Sequence, residues 1–240
     1  MMSIDYRGKV VIVTGVGRPG QIGHATALAF GRAGAQLVLC DVNATGVAEC
    51  AKEFQAMGLA AQPAAGDLTE PDIARLAVET AVRHYSRLDA LINIAGGLTT
   101  YGPIAEATVK AFDREIGINL KTTVTMSQAA IDELAKTHGS IVNVASIAYF
   151  QPTPNMAVYA AAKAGIAGFT RSLAAELLPR AVRVNAIAPA MVRTPENVDA
   201  AGPDATYVEM QHITDGILFL ASPSAEAING LVLPISRGAV

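Results

Sequence analysis

Tyr159 and Lys163 stand four residues apart in the alanine-rich run AVYAAAKAG, so on a helix both project from one face. Ser146 lies thirteen residues before the tyrosine, directly after the apolar run Ile141 to Ala145. A phenol, an amine and a hydroxyl gathered in this way suit moving a proton on and off an oxygen. A free tyrosine, with a pKa of about 10, is a poor base at neutral pH. A charged lysine one helical turn away favours the phenolate and lowers that value. Tyr159 would then give a proton to a developing alkoxide or take one from an alcohol. The same Tyr and Lys spacing also arises on ordinary helix surfaces, so the pair needs support from the rest of the chain.

The elements that must position these residues alternate along the chain. Lys9 to Thr14, Gln36 to Cys40, Ala60 to Ala65, Asp89 to Ile94, Ile141 to Ala145, Val182 to Ala188 and Leu231 to Ile235 read as seven strands, short and rich in β-branched residues. Helical spacing fills the intervals at Asn43 to Met57, Glu70 to Ser86, Asn155 to Leu178 and around His212 to Ala221. Thr108 to Lys136 is long enough for a continuous helix with a kink near Gly117. This alternation predicts an α/β fold: one doubly wound parallel sheet of about seven strands with helices on both faces. No linker divides the 240 residues, so a single dinucleotide-binding catalytic domain over 1–240 is expected, with a substrate loop at about 190–210.

After the first strand comes the loop GVGRPGQIG, followed by a helix-like run, HATALAFGRAGA. Strand, Gly-rich loop and helix form the opening of a dinucleotide-binding βαβ unit, in which backbone N–H groups meet a pyrophosphate at a helix N-terminus. Asp41 closes the second strand, placed to accept hydrogen bonds from an adenosine ribose and to repel a 2′-phosphate. Its plain alternative is a solvated strand end. Arg18 argues the other way, since a guanidinium there would meet a 2′-phosphate. NAD is the preferred cofactor and NADP the alternative.

With these segments in view, the whole chain resembles the short-chain dehydrogenase/reductase family, in the main branch with Tyr-x3-Lys. The matching stretches are TGVGRPGQIG from Thr14, GDLT from Gly66, NIAG from Asn93, Ile118-Asn119, the Ser146, Tyr159 and Lys163 set, and NAIAPAMVRT from Asn185. The resemblance implies a Rossmann fold and an NAD(P)-dependent enzyme interconverting a secondary alcohol and a ketone. It makes Asn119, Ser146, Tyr159 and Lys163 the catalytic set: Ser146 bonds the substrate oxygen, Lys163 also binds the nicotinamide ribose, and Asn119 holds a relay water. It puts Gly15, Arg18, Gln21, Ile22, Gly23, Asp41, Asp67, Leu68, Asn93, Ala95, Gly96, Tyr159, Lys163, Pro189, Val192 and Thr194 around the cofactor. Asp67 and Leu68 would flank the adenine, and Pro189, Val192 and Thr194 would meet the nicotinamide end. Asn93 and Asn185 have a purely structural alternative, and Pro189 one as a strand end. Relatives are commonly homotetramers, so a homo-oligomer is expected. Alternatives are a 3-oxoacyl-acyl-carrier-protein reductase of the same family and a dinucleotide-binding sensor without catalysis.

Three features depart from the family pattern. Seven residues separate Gly15 from Gly23, more than in T-G-x3-G-x-G, with Gln21 in place of the middle glycine. Such a loop is similar to that of the enoyl-reductase branch, but the Tyr-x3-Lys spacing is not. Ala190 follows Pro189 where glycine is common, and the segment after Thr194 is short for a lid. Tyr149, Phe150, Met156 and Met191 suggest an apolar pocket, with ordinary packing as the alternative.

Composition narrows the partners. Hydrophobic residues make up 51 % and charged ones 16 %, which excludes disorder, and the formal net charge of −3 comes without a basic run. Nucleic acid is therefore not expected. No apolar run reaches the roughly 18 residues of a membrane span, and the stretch before the first Gly motif reads as too short for a signal peptide. Cys40 and Cys50 lack metal-ligand spacing, so no metal is expected and a cytoplasmic setting fits.

Overall fold

The computed structural model describes residues 4–237. Its seven strands are β1 (Val10–Thr14), β2 (Gln36–Asp41), β3 (Ala61–Ala65), β4 (Ala90–Asn93), β5 (Ser140–Val144), β6 (Arg183–Pro189) and β7 (Val232–Ile235). They form one parallel sheet in the order β3-β2-β1-β4-β5-β6-β7. The expected strands are all present, with boundaries within a residue or so. All residues of β1, β4 and β5 are buried, as required of strands covered on both faces.

The helices are α1 (Ile22–Arg32), α2 (Ala44–Ala56), α3 (Pro71–Tyr85), α4 (Val109–Ile116), α5 (Thr122–Thr137), α6 (Ala157–Leu177), α7 (Pro195–Ala201) and α8 (Met210–Ala221). Helices α1, α2 and α8 cover one face, where Phe30, Phe54 and Ile217 pack on Val11, Val13 and Ile92. On the other face Ala77, Met126, Leu134 and Leu173, from α3, α5 and α6, pack on Ile12, Leu91 and Ile141. The expected helix across 108–136 runs unbroken, and the irregularity expected near Gly117 is there. Between α4 and α5, Gly117–Lys121 form a turn of π-helix. Its widened carbonyls are taken up by hydroxyls: Thr122 Oγ1 donates to Ile118 O at 2.8 Å, and Thr123 Oγ1 to Asn119 O at 2.9 Å.

Strand order reverses between β1 and β4. The connections after these two strands leave in opposite directions, opening a crevice beyond their C-terminal ends. Gly15 follows β1 there and Ala95 follows β4, so the topology alone brings the Gly-rich loop and the Asn93–Gly96 segment together.

Candidate active site

One wall of the crevice is built from β1 and β2. The buried Thr14 hydroxyl accepts from Ile94 N and Ala95 N, both at 2.9 Å, and draws the end of β4 against β1. The loop then turns back on itself into α1. A Cβ on Gly23 would overlap the Gly15 carbonyl oxygen, so only glycine lets the helix start that close. No side chain caps α1, which leaves its first-turn N–H groups for an anion. Gln21 and Ile22 are half-buried at this helix start, and Gly15 beside them is also half-buried.

Asp41 is held under the loop. Its Oδ2 accepts from Gly17 N at 2.7 Å and its Oδ1 from Asn43 N at 2.9 Å. Each oxygen retains a lone pair, so the carboxylate suits a ribose diol. Gly66 N donates to Asp41 O at 2.9 Å, which brings exposed Asp67 and buried Leu68 to the same edge. These groups fit the adenosine half of a dinucleotide. Arg18 is committed elsewhere: its Nη1 pairs with Glu196 Oε2 at 3.0 Å, on α7.

The opposite wall carries the predicted proton-transfer residues. Ser146, just beyond β5, caps a short 3₁₀ turn by accepting from Ala148 N at 3.2 Å. Its hydroxyl neighbours Tyr159 and acts to lower the phenol's pKa. Burial is the larger influence and raises that pKa above its usual value, with the Glu115 carboxylate adding to the rise. The expectation that Lys163 depresses it therefore does not describe this state. Lys163 is itself buried, its Nζ 5.6 Å from the Tyr159 ring centroid and donating to Val144 O at 2.9 Å. Burial pulls its pKa down to about 8, opposed by Glu115. Lys163 is buried and Tyr159 half-buried, and desolvation is the largest influence on each.

Asn119 sits in the π-helical turn, fully buried. Its Oδ1 accepts from Gly97 N at 3.1 Å, and its Nδ2 lies 3.0 Å from Gly97 O, 2.9 Å from Glu115 O and 3.1 Å from Glu115 Oε1. A Cβ on Gly96, whose φ is +133°, would come within 2.5 Å of Asn119 Oδ1. Asn93 lies deeper. Its Nδ2 donates to Asn143 Oδ1 at 2.9 Å and to Ser127 Oγ at 3.1 Å, joining β4 to β5 and α5. That is the structural role held open for it. Asn185 likewise ties β6 to the β7 approach, through Ile228 O and Leu231 N.

Beyond β6, Pro189 ends the strand, and Val192 and Thr194 are buried. Thr194 Oγ1 accepts from Asn197 N at 3.2 Å, capping α7. The short segment is not an open rim. Val192 pairs with Val208, and the fully buried Tyr207 donates to Asn197 O and Gly202 O, at 3.1 and 2.6 Å. Met191 and Phe150 are more than a third exposed, whereas Tyr149 and Met156 are half-buried. Sequence reasoning missed α7, Tyr207 and Glu115. Thr-Pro-Glu at 194–196 is a helix-start signature that announces the first. An acid one turn before Asn119 was the only signal for the last.

The short chain dehydrogenase family matches residues 9–202. The 3-oxoacyl-[acyl-carrier-protein] reductase FabG of Thermotoga maritima is 32 % identical over 97 % of this chain and 98 % of its own. Cyclopentanol dehydrogenase of Comamonas sp. is 32 % identical over 96 % of each. A solved 7α-hydroxysteroid dehydrogenase, complexed with NADH and 7-oxo-glycochenodeoxycholic acid, superposes with a TM-score of 0.90 at 29 % identity, covering 98 % of this chain and 96 % of that one. A short chain dehydrogenase from Burkholderia cenocepacia in complex with NADP gives 0.89 at 30 % identity, with 98 % of both covered. Gly-rich loop, serine, tyrosine and lysine meet in one crevice of a sheet these relatives share over nearly full length, and the chain belongs to the short-chain dehydrogenase/reductase family of oxidoreductases.

Proposed function

We propose that this enzyme interconverts a secondary alcohol and a ketone on a modest, rather apolar small molecule, with Tyr159 as general acid/base. The observation carrying this reading is that buried Lys163 stands 5.6 Å from the Tyr159 ring on one helix and donates at 2.9 Å to Val144 O, at the end of the strand that leads into Ser146. A nicotinamide dinucleotide, when bound, supplies the carbon that gives or takes hydride. Gly15, Gln21, Ile22, Gly23, Ala95 and Gly96 would line its path, with Asp67 and Leu68 at the adenine and Pro189, Val192 and Thr194 at the nicotinamide end.

Ser146 holds the substrate oxygen against the Tyr159 hydroxyl, and the phenolic proton crosses as the alkoxide develops. Lys163 would hold the nicotinamide ribose and offset charge on the phenolate. Asn119 Oδ1 keeps a second lone pair, which a relay water would use to connect Lys163 with solvent. NAD is the preferred cofactor, because Asp41 faces the ribose position and Arg18 is engaged by Glu196; NADP is the alternative.

Exposed Leu98, Phe150 and Met191 support an apolar substrate. From 193 to 209 the segment carries Glu196, Asp199, Asp204 and Glu209 against Arg193 alone, a poor landing for acidic carriers. The similarity to a 3-oxoacyl-[acyl-carrier-protein] reductase keeps that activity as the second reading. The reading treats the chain as one catalytic domain with the substrate loop at 190–210. It further takes the chain to be a homo-oligomer, a dimer or tetramer, consistent with exposed Val109 and Phe112 on α4. No helix among the described residues is long and apolar enough to cross a membrane. Both cysteines are free and buried, which supports a cytoplasmic setting.

Turnover of neutral cyclic alcohols, ketones and a 3-oxoacyl thioester, followed by nicotinamide absorbance with each cofactor, tests the reading. Tyr159→Phe is expected to bind cofactor yet lose at least about a hundredfold in kcat. Undiminished turnover would overturn the acid/base role, and cofactor binding without turnover across the panel would favour a sensor.

A further inference from the structure

Glu115 is an acid with no solvent exposure on α4, a helix whose other charged residues, Lys110, Asp113 and Arg114, are all exposed. An ionised carboxylate is rarely buried this completely without partners. Here every partner is a donor. Oε2 accepts from Thr99 N at 2.9 Å and from Thr99 Oγ1 at 2.6 Å, and Oε1 from Asn119 Nδ2 at 3.1 Å. Two of these are N–H groups that can only donate and the Thr99 hydroxyl can donate as well, a set that suits a carboxylate anion. The bonds join two pieces of chain: the helical run that carries both Glu115 and Asn119, and the segment after β4. Asn119 closes the loop by bonding Gly97 N and Gly97 O.

We propose that Glu115 is a positioning residue, whose carboxylate clamps the Gly97–Thr99 segment to Asn119 and supplies a buried negative charge toward Tyr159 and Lys163 on α6. The inference rests on the reading of Tyr159, Lys163 and Asn119 given above. Helix α6 packs against α4, and its ionisable groups Tyr159 and Lys163 are the ones that feel this carboxylate. The segment 97–100 contributes none, and Asp113, Arg114 and Lys121 on the neighbouring helical turns are exposed. The charge acts on both α6 groups in one direction, raising the pKa of each. For Lys163 this opposes burial and keeps the amine cationic to higher pH, where it can assist the phenolate. The clamp and the charge are thus two separable effects of one side chain.

Glu115→Gln removes the charge and presents an amide that cannot accept from both Asn119 and Thr99. Two readouts follow. Amide hydrogen exchange at Gly97 and Thr99 is expected to accelerate at least about tenfold, while the core strands keep their protection. The alkaline limb of the kcat profile is expected to move toward lower pH by about one unit, which is about a tenfold larger loss above the limb than below it. Thr99→Val removes one clamp bond and leaves the charge. It should accelerate exchange at residue 99 without moving the pH limb, and it keeps the test available should Glu115→Gln fail to fold. Wild-type exchange in both variants would overturn the clamp. A loss of turnover equal at every pH in Glu115→Gln would overturn the electrostatic role. Failure of the underlying reading is distinguishable, because it would show as full turnover in Tyr159→Phe, whereas exchange at Gly97 and Thr99 is measured without substrate or cofactor.

Discussion

Arg18 and Glu196 lie 178 residues apart in sequence and 3.0 Å apart in space, joining the Gly-rich loop to the first turn of α7. Pro195 packs beside the same loop, close enough that a Cβ on Gly20 would stand 3.2 Å from its ring. Loop and helix therefore meet over the crevice. Both partners of the ion pair are largely exposed, so its own contribution to stability is small. Its consequence is where it points the guanidinium. Glu196→Gln is expected to release Arg18 and improve the use of NADP relative to NAD by up to about fivefold, the factor a surface pair is worth. The ratio of kcat/KM values for the two cofactors measures it, and an unchanged ratio would remove Arg18 from cofactor selection.

On the proposed reading Asp41 is the stronger determinant, because it is fixed by two backbone donors and half-buried. Loss of charge-assisted bonds to a ribose is worth about 1.5–3 kcal/mol, roughly ten- to a hundredfold in affinity. Asp41→Ala should weaken NAD binding by that factor and relax discrimination against NADP, as read by titration of cofactor fluorescence. A preserved NAD preference would transfer the role to another group.

Lys163 offers a prediction in which stability and activity move oppositely. Its pKa falls from 10.5 to about 8 in the folded protein. Below pH 8 both folded and unfolded states hold the proton, and folding bears the full cost of burying the charge. Between about 8 and 10.5 the unfolded state binds more protons, so stability rises with pH through that window. The shift corresponds to about 3 kcal/mol, partly offset by the bond to Val144 O. Lys163→Met is expected to raise Tm at pH 7 by a few degrees, to flatten the stability gain above pH 8, and to abolish turnover. A lower Tm at pH 7 would mean that the lysine is a net structural support.

Tyr207 is a candidate for destabilising α7 alone. Its hydroxyl bonds two carbonyls of that segment, and its ring lies 4.5 Å from the Arg193 guanidinium carbon. Tyr207→Phe keeps the ring packing and strands the carbonyls, at a cost of about 1–2 kcal/mol. Faster exchange confined to residues 195–202, with a rise in KM for substrate, is the expected result. Global loss of protection would make Tyr207 part of the core instead.

Periodicity and local chemistry carried much of this protein. Seven strands and their parallel arrangement followed from apolar runs separated by helix-spaced segments, because a sheet covered on both faces needs them. Ser146, Tyr159 and Lys163 were legible as a set because serine ends a strand and the other two share one turn of one helix, so local geometry alone brings the latter pair together. The Gly-rich loop and Asp41 were legible for the same reason. Tertiary structure decided the rest. Whether Lys163 lowers the tyrosine's pKa depends on desolvation, and burial belongs to the packed site rather than to spacing. The π-helical turn that rotates Asn119 inward, the pairing of Arg18 with Glu196 and the seating of Tyr207 all rest on contacts that residue spacing does not announce. Glu115 shows the limit most plainly. As a letter it is one more acid on an amphipathic helix, and only the closure of α4 against α6 and the segment after β4 turns it into a buried anion.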